Sequence, residues 1–489
     1  MPKSWRSLDW KAAERHVKRL QVRIAKAVEE NKWGKVKALQ WTLTHSFYAR
    51  ALAVRRVTKN KGARTPGIDN VRWKTHRQKF DAILQLKRRG YRAKALRRTY
   101  IDKKNGKKRP LSIPTMNDRA MQALYALALV PVAEVTADPN SYGFREGRCC
   151  QDALEQCYIV LSQRKSSRWI LEADIKGCFD NISHEWLLKN IPMDKGILRQ
   201  WLECGYMEKH AWHDSKTGTP QGGIASPILA NMALDGLEKA VKATMKSRER
   251  GVNVVRYADD FIVTAKTPER LKEVIKPVIE RFLADRGLRL SEEKTKITSI
   301  ADGFDFLGQN LRKHEDKLVI EPSKTSVQGF LDKVRAIINS HKGHSAERLI
   351  STLNPIIRGW ANYHRYSVCT RVFFRVDHII SGALFRWIRK RNQNKPKSWI
   401  VRKHFRSPLA GPGVFCAKTR NKRKETIYYH IQKALNVSKL LFKKVIGSAH
   451  PYQPERFDYF ANRKLKRHRI RGRSIREREW LQTQFVFQN

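Results

Sequence analysis

The chain has 489 residues, of which 41% are hydrophobic, and that much apolar material excludes an intrinsically disordered chain. Its 100 Lys and Arg against 45 Asp and Glu give a formal net charge of +55, which argues against an enzyme of small metabolites and predicts a long polyanionic partner such as nucleic acid. Without a long apolar run, the sequence predicts no membrane partner, and seven cysteines without paired spacing predict reduced thiols in a cytoplasm.

The first half of the chain alternates between helical and extended patterns. Apolar residues at helical spacing predict helices from Trp10 to about Val57. The stretch "RRTYIDKKNGKKRPLSIP" predicts a hairpin around Lys-Asn-Gly, and helical patterning returns from Asp118 to Leu161. An apolar run, "WILEADIKGCF", predicts a buried strand, and Ser183 is the expected N-cap of the helix that follows it.

The second half begins with a Gly- and Pro-containing loop. "SPILANMALDGLEKAVKATM" predicts one amphipathic helix, and "VVRYADDFIV" predicts two strands joined by a tight turn. A helix and a strand are expected around Gly287, short strands in "DGFDFLGQNLR", and helices from Ser323 to about Ile388. The last ~90 residues combine Pro and Gly residues that interrupt secondary structure, aromatic residues and many Arg and Lys. They are too few for a large core of their own.

Three acidic residues stand out because apolar strands surround them. Asp174 ends one predicted strand, and Asp259 and Asp260 occupy the turn of the later hairpin. Unpaired carboxylates are costly to bury, so this pair needs a positive partner. If the strands are neighbours in one sheet, Asp174 and Asp259 face each other, and such carboxylates suit two Mg²⁺ ions that promote phosphoryl transfer. We therefore expect a metal rather than an arginine beside them.

The motifs around these residues resemble a known family. "DIKGCFDNISH", "GTPQGGIASPILANM", "RYADDFIV" and "LSEEKTKI" follow the order of the palm motifs of reverse transcriptases. "ARTPGIDN", "GKKRPLSIPTMNDRAMQ" and "SYGFREGR" resemble the finger motifs of group II intron-encoded reverse transcriptases and maturases, and "LNPIIRGWANYHRY" and "HPYQPERFDYFANRK" resemble their maturase domain and the segment after it. In "SYGFREGRCC" the family more often has Pro and Ser.

The resemblance implies roles for individual residues. Asp174, Asp259 and Asp260 would be the catalytic, metal-binding carboxylates, with Asp260 in a lesser part. The residues that would contact the incoming nucleotide are Lys103 and Arg109 at its triphosphate, Phe179 as an aromatic gate against a 2′-hydroxyl, Gln221 in the loop that supports base and template, and Lys294 as an acid for the pyrophosphate.

A second group of residues is predicted to bind RNA or DNA. Its members are Arg145, Arg148, Arg358, Trp360, Tyr363, His364, Arg463, Lys464 and Arg467. Packing in the core is the alternative for the aromatic residues and for the histidines, and a solvated tail is the alternative for "RKLKRHRIRGR". Asp180 and Asp305 are expected to be a cap or ion-pair residue and a turn residue, not metal ligands.

The resemblance implies an α+β fold: a right-hand polymerase, with an antiparallel sheet in fingers and palm, followed by an α-helical thumb or maturase domain and a basic C-terminal region. The expected domains are an RNA-binding helical extension at 1–60, fingers and palm at 61–302, thumb and maturase domain at 303–390 and a nucleic-acid-binding region at 391–489.

The implied function is RNA-directed DNA synthesis from dNTPs, with binding of a group II intron RNA, as a lariat, to assist its splicing. Mobility would use target DNA by target-primed reverse transcription in a bacterial cytoplasm, near the nucleoid. With no Cys beyond Cys416 we expect no HNH endonuclease, so that the primer comes from elsewhere. The alternatives are a maturase with an idle polymerase, a domesticated defence or CRISPR-associated reverse transcriptase, and an RNA-dependent RNA polymerase, against which Phe179 argues.

Overall fold

The computed structural model describes residues 4–102, 106, 108–209, 211–247, 249–407, 411–420 and 425–469, without the side chains of residues 407 and 464–469. These residues form two compact units. The first takes in the chain up to Ala153, Trp169–Ile297 and the part after Val445, and the second takes in Leu154–Arg168 and Thr298–Lys444. The division falls near residue 298, and the domain boundaries predicted near residues 302 and 390 stay predictions.

The helices, in chain order, are α1 (Trp10–Glu29), α2 (Trp33–His45), α3 (Phe47–Lys59), α4 (His76–Gln85), α5 (Met116–Thr136), α6 (Cys150–Leu161), α7 (Cys178–Asn181), α8 (His184–Asn190), α9 (Lys195–Glu203), α10 (Ser226–Leu234), α11 (Leu237–Lys242), α12 (Lys276–Ala284), α13 (Lys324–Ser340), α14 (Ala346–His364), α15 (Thr370–Arg391), α16 (Lys397–His404) and α17 (Phe457–Arg469). None of the helices in the described ranges is long and apolar enough to cross a membrane.

The strands are β1 (Leu96–Asp102), β2 (Lys108–Ile113), β3 (Trp169–Asp174), β4 (Tyr206–Glu208), β5 (Ala211–His213), β6 (Asn253–Tyr257), β7 (Asp260–Ala265), β8 (Lys296–Ser299), β9 (Phe304–Phe306), β10 (Gln309–His314), β11 (Lys317–Pro322), β12 (Arg406–Ser407), β13 (Gly411–Pro412), β14 (Cys416–Arg420) and β15 (Thr426–His430).

The N-terminal helical region is confirmed and consists of three helices. Helix α1 begins at Trp10 because the side chain of Asp9 accepts a hydrogen bond from the free backbone N–H of Ala12. It buries one apolar stripe that includes Val17 and Ile24, and both α1 and α3 pack against α5. The first unit thus has one continuous core that extends from these helices to the sheet beneath the acidic residues.

Two sheets in the first unit carry the predicted site residues. The predicted hairpin is confirmed as β1 and β2, whose register runs from Arg97 opposite Ile113 to Asp102 opposite Lys108. It belongs to a sheet of order β2-β1-β4-β5. The second sheet has the order β6-β7-β3-β8, so the two acidic strands β3 and β7 are direct antiparallel neighbours.

The predicted single helix after the Gly-rich loop is wrong, because the chain breaks between Leu234 and Leu237. Gly236 has a φ of +95°, a conformation that glycine adopts without steric cost. The preceding residue, Asp235, leaves the helix in an extended conformation, and its side chain pairs with Arg256 of β6. A tertiary ion pair therefore overrides the helical pattern of the sequence.

The second unit combines the sheet β11-β10-β9 with helices α13, α14 and α15, as the helical pattern after Ser323 predicts. Helices α13 and α14 each begin at a serine, Ser323 and Ser345, whose hydroxyl accepts a backbone hydrogen bond from the first turn. The apolar faces of the three helices form a separate core, to which α16 and the β14–β15 hairpin also contribute.

Candidate active site

The three acidic residues lie together at one end of the β3–β7 pair. The register places Asp174 directly opposite Asp260. Asp259 follows Ala258 in the two-residue turn between β6 and β7, and Ala258 has a φ of +59°. Such left-handed residues are typical of tight hairpin turns. The turn places the two adjacent carboxylates at the end of β7, next to the end of β3.

These carboxylates are held at the surface end of the sheet, not sealed in the core: Asp259 is half-buried and Asp260 is exposed on one face. Partial burial, and then the charges of Asp259 and Asp174, raise the pKa of Asp260 to about 7. Burial also raises the pKa of Asp259. The three carboxylates therefore concentrate negative charge at this end of the sheet, and the site attracts cations.

The structure provides one cation for this cluster from the chain itself. The ammonium group of Lys294 donates a hydrogen bond to Oδ2 of Asp174 over 2.7 Å. This hydrogen bond and the neighbouring negative charges raise the pKa of Lys294, so it stays protonated at neutral pH. The structure thus places the ammonium group of Lys294 beside Asp174, and its predicted role as an acid for the pyrophosphate stays a prediction.

Arg256 is a residue that the sequence reasoning missed. Its side chain, 2% exposed, donates to Asp235 on one side and, from Nη1, to Oδ1 of Asn231 at 3.3 Å and the carbonyl of Ala258 at 3.4 Å. An arginine in the apolar run "VVRYADDFIV" was the available signal. Arg256 therefore supports the turn through the carbonyl of Ala258 and pairs with Asp235, not with Asp259.

A neighbouring segment packs on the same turn. The backbone N–H of Tyr142 donates to the carbonyl of Arg256, and the side chain of Asn231 donates to the carbonyl of Gly143. At Gly143 a β-carbon would lie 2.4 Å from the backbone nitrogen of Ala258, so only glycine permits this approach. The 141–144 segment and the β6–β7 hairpin therefore have a fixed relative position.

The Gly-rich loop is tied to the turn that carries Phe179. The N–H of Thr219 donates to the carbonyl of Phe179, and the side-chain amide of Gln221 donates to Oδ2 of Asp180 at 3.0 Å. The carbonyl of Gln221 in turn accepts from the N–H of Ser112 in β2. The loop thus links the β1–β2 sheet to the α7 turn, and the carboxylate of Asp180 accepts from an amide side chain, where a helix cap or an ion pair was expected.

Of the two residues predicted to bind the triphosphate, the structure describes Arg109. Arg109 is exposed on β2, and its positive charge partly opposes the rise that burial causes in the pKa of Asp259. Lys103 lies outside the described residues.

The acidic cluster fits divalent metal ions that a substrate helps to bind. Among the described residues, no group of three or more His, Cys, Asp or Glu side chains forms a complete metal site. Asp174 and Asp259 offer hard oxygen donors beside a third carboxylate with a raised pKa. Mg²⁺ is commonly bound by one or two carboxylates together with substrate phosphates and water, and this donor set matches that requirement.

Three residues predicted to bind nucleic acid are corrected, because their polar groups are buried and used within the protein. Arg145 forms an ion pair with Glu134 in which both side chains are at most 5% exposed. Arg148 donates to the carbonyls of Pro139 and Gly447. His364 is buried in the second unit, where it contacts Gln309 and Ser326.

The remaining predicted nucleic-acid contacts divide into packed and partly exposed residues. Trp360 stacks on Phe330 with ring centroids 4.4 Å apart, and Tyr363 donates to the carbonyl of Leu307, so both contribute to packing. Arg463 forms an ion pair with the buried Asp152. Arg358 is half-buried on α14, and the side chains of Lys464 and Arg467 lie outside the described part of the chain.

Comparison with known families agrees with this arrangement. Residues 101–311 match the family "Reverse transcriptase (RNA-dependent DNA polymerase)", residues 5–86 match "N-terminal domain of reverse transcriptase" and residues 327–405 match "Group II intron, maturase-specific domain". The last match extends from α13 through α16 of the second unit, and the first includes the acidic cluster.

Individual relatives give the same picture. Protein YkfC of Escherichia coli is 32% identical over 305 residues, which are 53% of this chain and 79% of that protein. Group II intron-encoded protein LtrA of Lactococcus lactis is 31% identical over 355 residues, and this chain spans 59% of its length and matches it over 59% of its own.

A solved structure of telomerase from Candida albicans with a TWJ fragment of telomeric RNA overlaps 61% of this chain and 59% of that chain at 13% identity. The TM-score of this overlap is 0.38. The three family matches follow one another along the chain, and the relatives agree with them. The chain belongs to the family of group II intron-encoded reverse transcriptases and maturases.

Proposed function

We propose that the protein is an RNA-directed DNA polymerase that extends a DNA primer on an RNA template with dNTPs. The observation that carries this proposal is the register of β3 and β7, which brings Asp174 and Asp260 opposite each other with Asp259 in the adjoining turn. Nothing in RNA binding alone requires three carboxylates at one point of a chain with a net charge of +55. A metal-dependent transfer of a nucleotidyl group does require them.

Each site residue then has a chemical task. Asp174 and Asp259 would hold two Mg²⁺ ions, and these ions would supply positive charge for the attacking 3′-oxygen and the leaving pyrophosphate. Arg109 and Lys103 bind the triphosphate. Lys294, protonated beside Asp174, donates a proton to the pyrophosphate as it leaves.

Sugar selection and base positioning belong to the residues beside the acidic cluster. Phe179 is half-buried on α7 and acts as the gate that a ribose 2′-hydroxyl meets. Gln221 and the loop around it support the incoming base, since the loop is bonded both to α7 and to β2. This linkage keeps the gate and the triphosphate-binding hairpin in register.

The test is primer extension with purified protein, an RNA template, a DNA primer, dNTPs and Mg²⁺. We expect extension by the wild type and a loss of at least about 10³-fold in Asp259→Asn and Asp174→Asn, because each removes a charged oxygen donor. The matched control is Asp285→Asn, an exposed aspartate at the end of α12. A wild type without extension, or site variants as active as the control variant, would overturn the proposal.

We also propose that the chain binds a group II intron RNA, as a lariat, and assists its splicing. The maturase-specific match over residues 327–405 and the excess of basic residues support this part. Target DNA would be the second nucleic-acid partner during target-primed mobility, in a bacterial cytoplasm close to the nucleoid.

Sequencing of the RNA that co-purifies with the protein at low salt tests the maturase proposal. A lariat intron is the expected result, and unrelated RNA contradicts it. Splicing of that intron should persist in Asp259→Ala, since folding of a ribozyme needs binding but no carboxylate chemistry. A loss of splicing in folded Asp259→Ala would show that the two activities share this site.

A further inference from the structure

Phe144 is a large aromatic residue in an unfavourable backbone conformation beside the proposed active site. Its φ is +57°, a region that bulky residues rarely occupy, and the residue is 45% exposed. Burial of the side chain therefore does not explain why a phenylalanine stands there. Bulky residues in strained conformations occur mainly at functional sites, where the contacts of the side chain have a role.

The ring of Phe144 contacts the ring of Phe179. The two centroids are 6.4 Å apart and the planes meet at 78°, an edge-to-face arrangement. Phe179 lies on α7, which has only four residues. A helix of one turn does not by itself fix the direction of a half-exposed side chain, so an external contact matters for the position of this ring.

The segment 141–144, which contains Phe144, is held in place against the β6–β7 hairpin. Ser141 bridges to Arg256 of β6, the carbonyl of Gly143 accepts from Asn231 at 2.7 Å, and Gly143 touches the turn at Ala258. The backbone that carries Phe144 is therefore fixed relative to the turn that contains Asp259. The contact between the two rings links the gate ring to this fixed backbone.

We propose that Phe144 is a positioning residue that holds the ring of Phe179 in place and so sets the preference for dNTP over rNTP. The inference deepens the proposed polymerase function and rests on it. Exclusion of a 2′-hydroxyl is a steric effect, and a steric effect requires a ring that does not move aside. Without the edge-to-face contact, the gate ring has room to turn away, and a ribonucleotide fits at little cost.

The experiment compares incorporation of dNTP and rNTP, as kcat/KM for each, in wild type, Phe144→Leu, Phe144→Tyr and Phe144→Gly. We expect Phe144→Leu and Phe144→Gly to raise the ratio of rNTP to dNTP use by about 3- to 10-fold, the range that one aromatic pair supports. Phe144→Tyr keeps the ring and should retain the wild-type ratio. Tyr158→Leu is the matched control, since this aromatic residue of α6 is also 45% exposed.

A double variant distinguishes positioning from direct contact with the nucleotide. If Phe144 acts through the gate, Phe144→Leu adds nothing to the selectivity lost in Phe179→Ala, so the double variant has the same ratio as Phe179→Ala alone. Thermal unfolding of Phe144→Gly provides the test of a merely structural role, because glycine relieves the left-handed backbone. We expect an unfolding temperature equal to or above that of the wild type together with the altered ratio.

Two results would overturn the inference. One is an unchanged ratio in Phe144→Leu while the enzyme still extends primers with dNTPs. The other is a full additional loss of selectivity when Phe144→Leu is combined with Phe179→Ala. Absence of extension by the wild type would instead refute the proposed polymerase function, so the two failures are distinguishable.

Discussion

Replacement of Arg256 by Met should destabilise the first unit strongly. Met fills part of the same space without charge, and it leaves the carboxylate of Asp235, whose side chain is 8% exposed, without its cationic partner. Burial already raises the pKa of Asp235 to about 6 with the arginine present. Breaking a buried ion pair at one partner typically costs about 3–5 kcal/mol, and we expect a loss of that size at pH 7.5.

The pH dependence of this loss follows from the sign of the pKa shift. A carboxyl whose pKa is higher in the folded than in the unfolded protein destabilises the fold increasingly as the pH rises from the unfolded to the folded value. Removal of Arg256 raises the pKa of Asp235 further. The deficit of Arg256→Met should therefore shrink by about 1.4 kcal/mol for each pH unit between that raised pKa and about 6, below which Asp235 is protonated in both folded proteins.

Urea unfolding followed by far-UV circular dichroism at pH 7.5 and pH 5.5 measures both effects. The control is Arg256→Met combined with Asp235→Leu, which replaces the pair by apolar side chains and should recover most of the stability. Arg256→Met within 1 kcal/mol of the wild type at pH 7.5, or a deficit that grows toward pH 5.5, would refute the reasoning.

Three further predictions concern other parts of the chain. Burial lowers the pKa of His364 to about 3, so the wild type should lose about 1.4 kcal/mol of stability per pH unit below about 6.5 as the pH falls; His364→Asn should flatten this dependence in unfolding temperatures measured from pH 7.5 to 5.5, and parallel curves would contradict it. Gly143→Ala should displace the β6–β7 hairpin, lower the free energy of unfolding by about 1–3 kcal/mol and reduce polymerase activity. Gly343→Ala, where a β-carbon meets nothing within 4 Å, should leave stability and activity unchanged. Lys294→Met should lower the single-turnover incorporation rate by about 10²-fold through loss of the proton donor beside Asp174, with template–primer binding retained; a rate within threefold of wild type speaks against that role.

The acidic site itself could be predicted because its signal is local. Asp174 and the pair Asp259–Asp260 each adjoin an apolar run, and strand pairing is enough to bring them together. Lys294 was predicted from a motif and is observed at hydrogen-bond distance from Asp174. The maturase helices after Ser323 were predictable for a similar reason, since helical periodicity and a serine N-cap are readable within one segment.

The nucleic-acid contacts were predicted less well, because the sequence does not show whether an Arg or Lys lies on the surface or in a buried ion pair. Arg145 pairs with Glu134, and Arg148 donates to the carbonyl of Gly447. No sequence pattern marks these partners. Arg256 was missed for the converse reason. Its partner, Asp235, lies in a stretch that reads as continuous helix until the pair bends the chain at Gly236.

The sequence by itself determined the charge of the protein, the identity of the acidic cluster and the family to which the chain belongs. Only the tertiary structure decided which basic side chains remain available to a nucleic acid and that the ring of Phe144 meets the ring of Phe179. The physical reason is one of range. Strand alternation, capping and turn chemistry act within a few residues, whereas burial and ion pairing depend on segments that come together only when the chain folds.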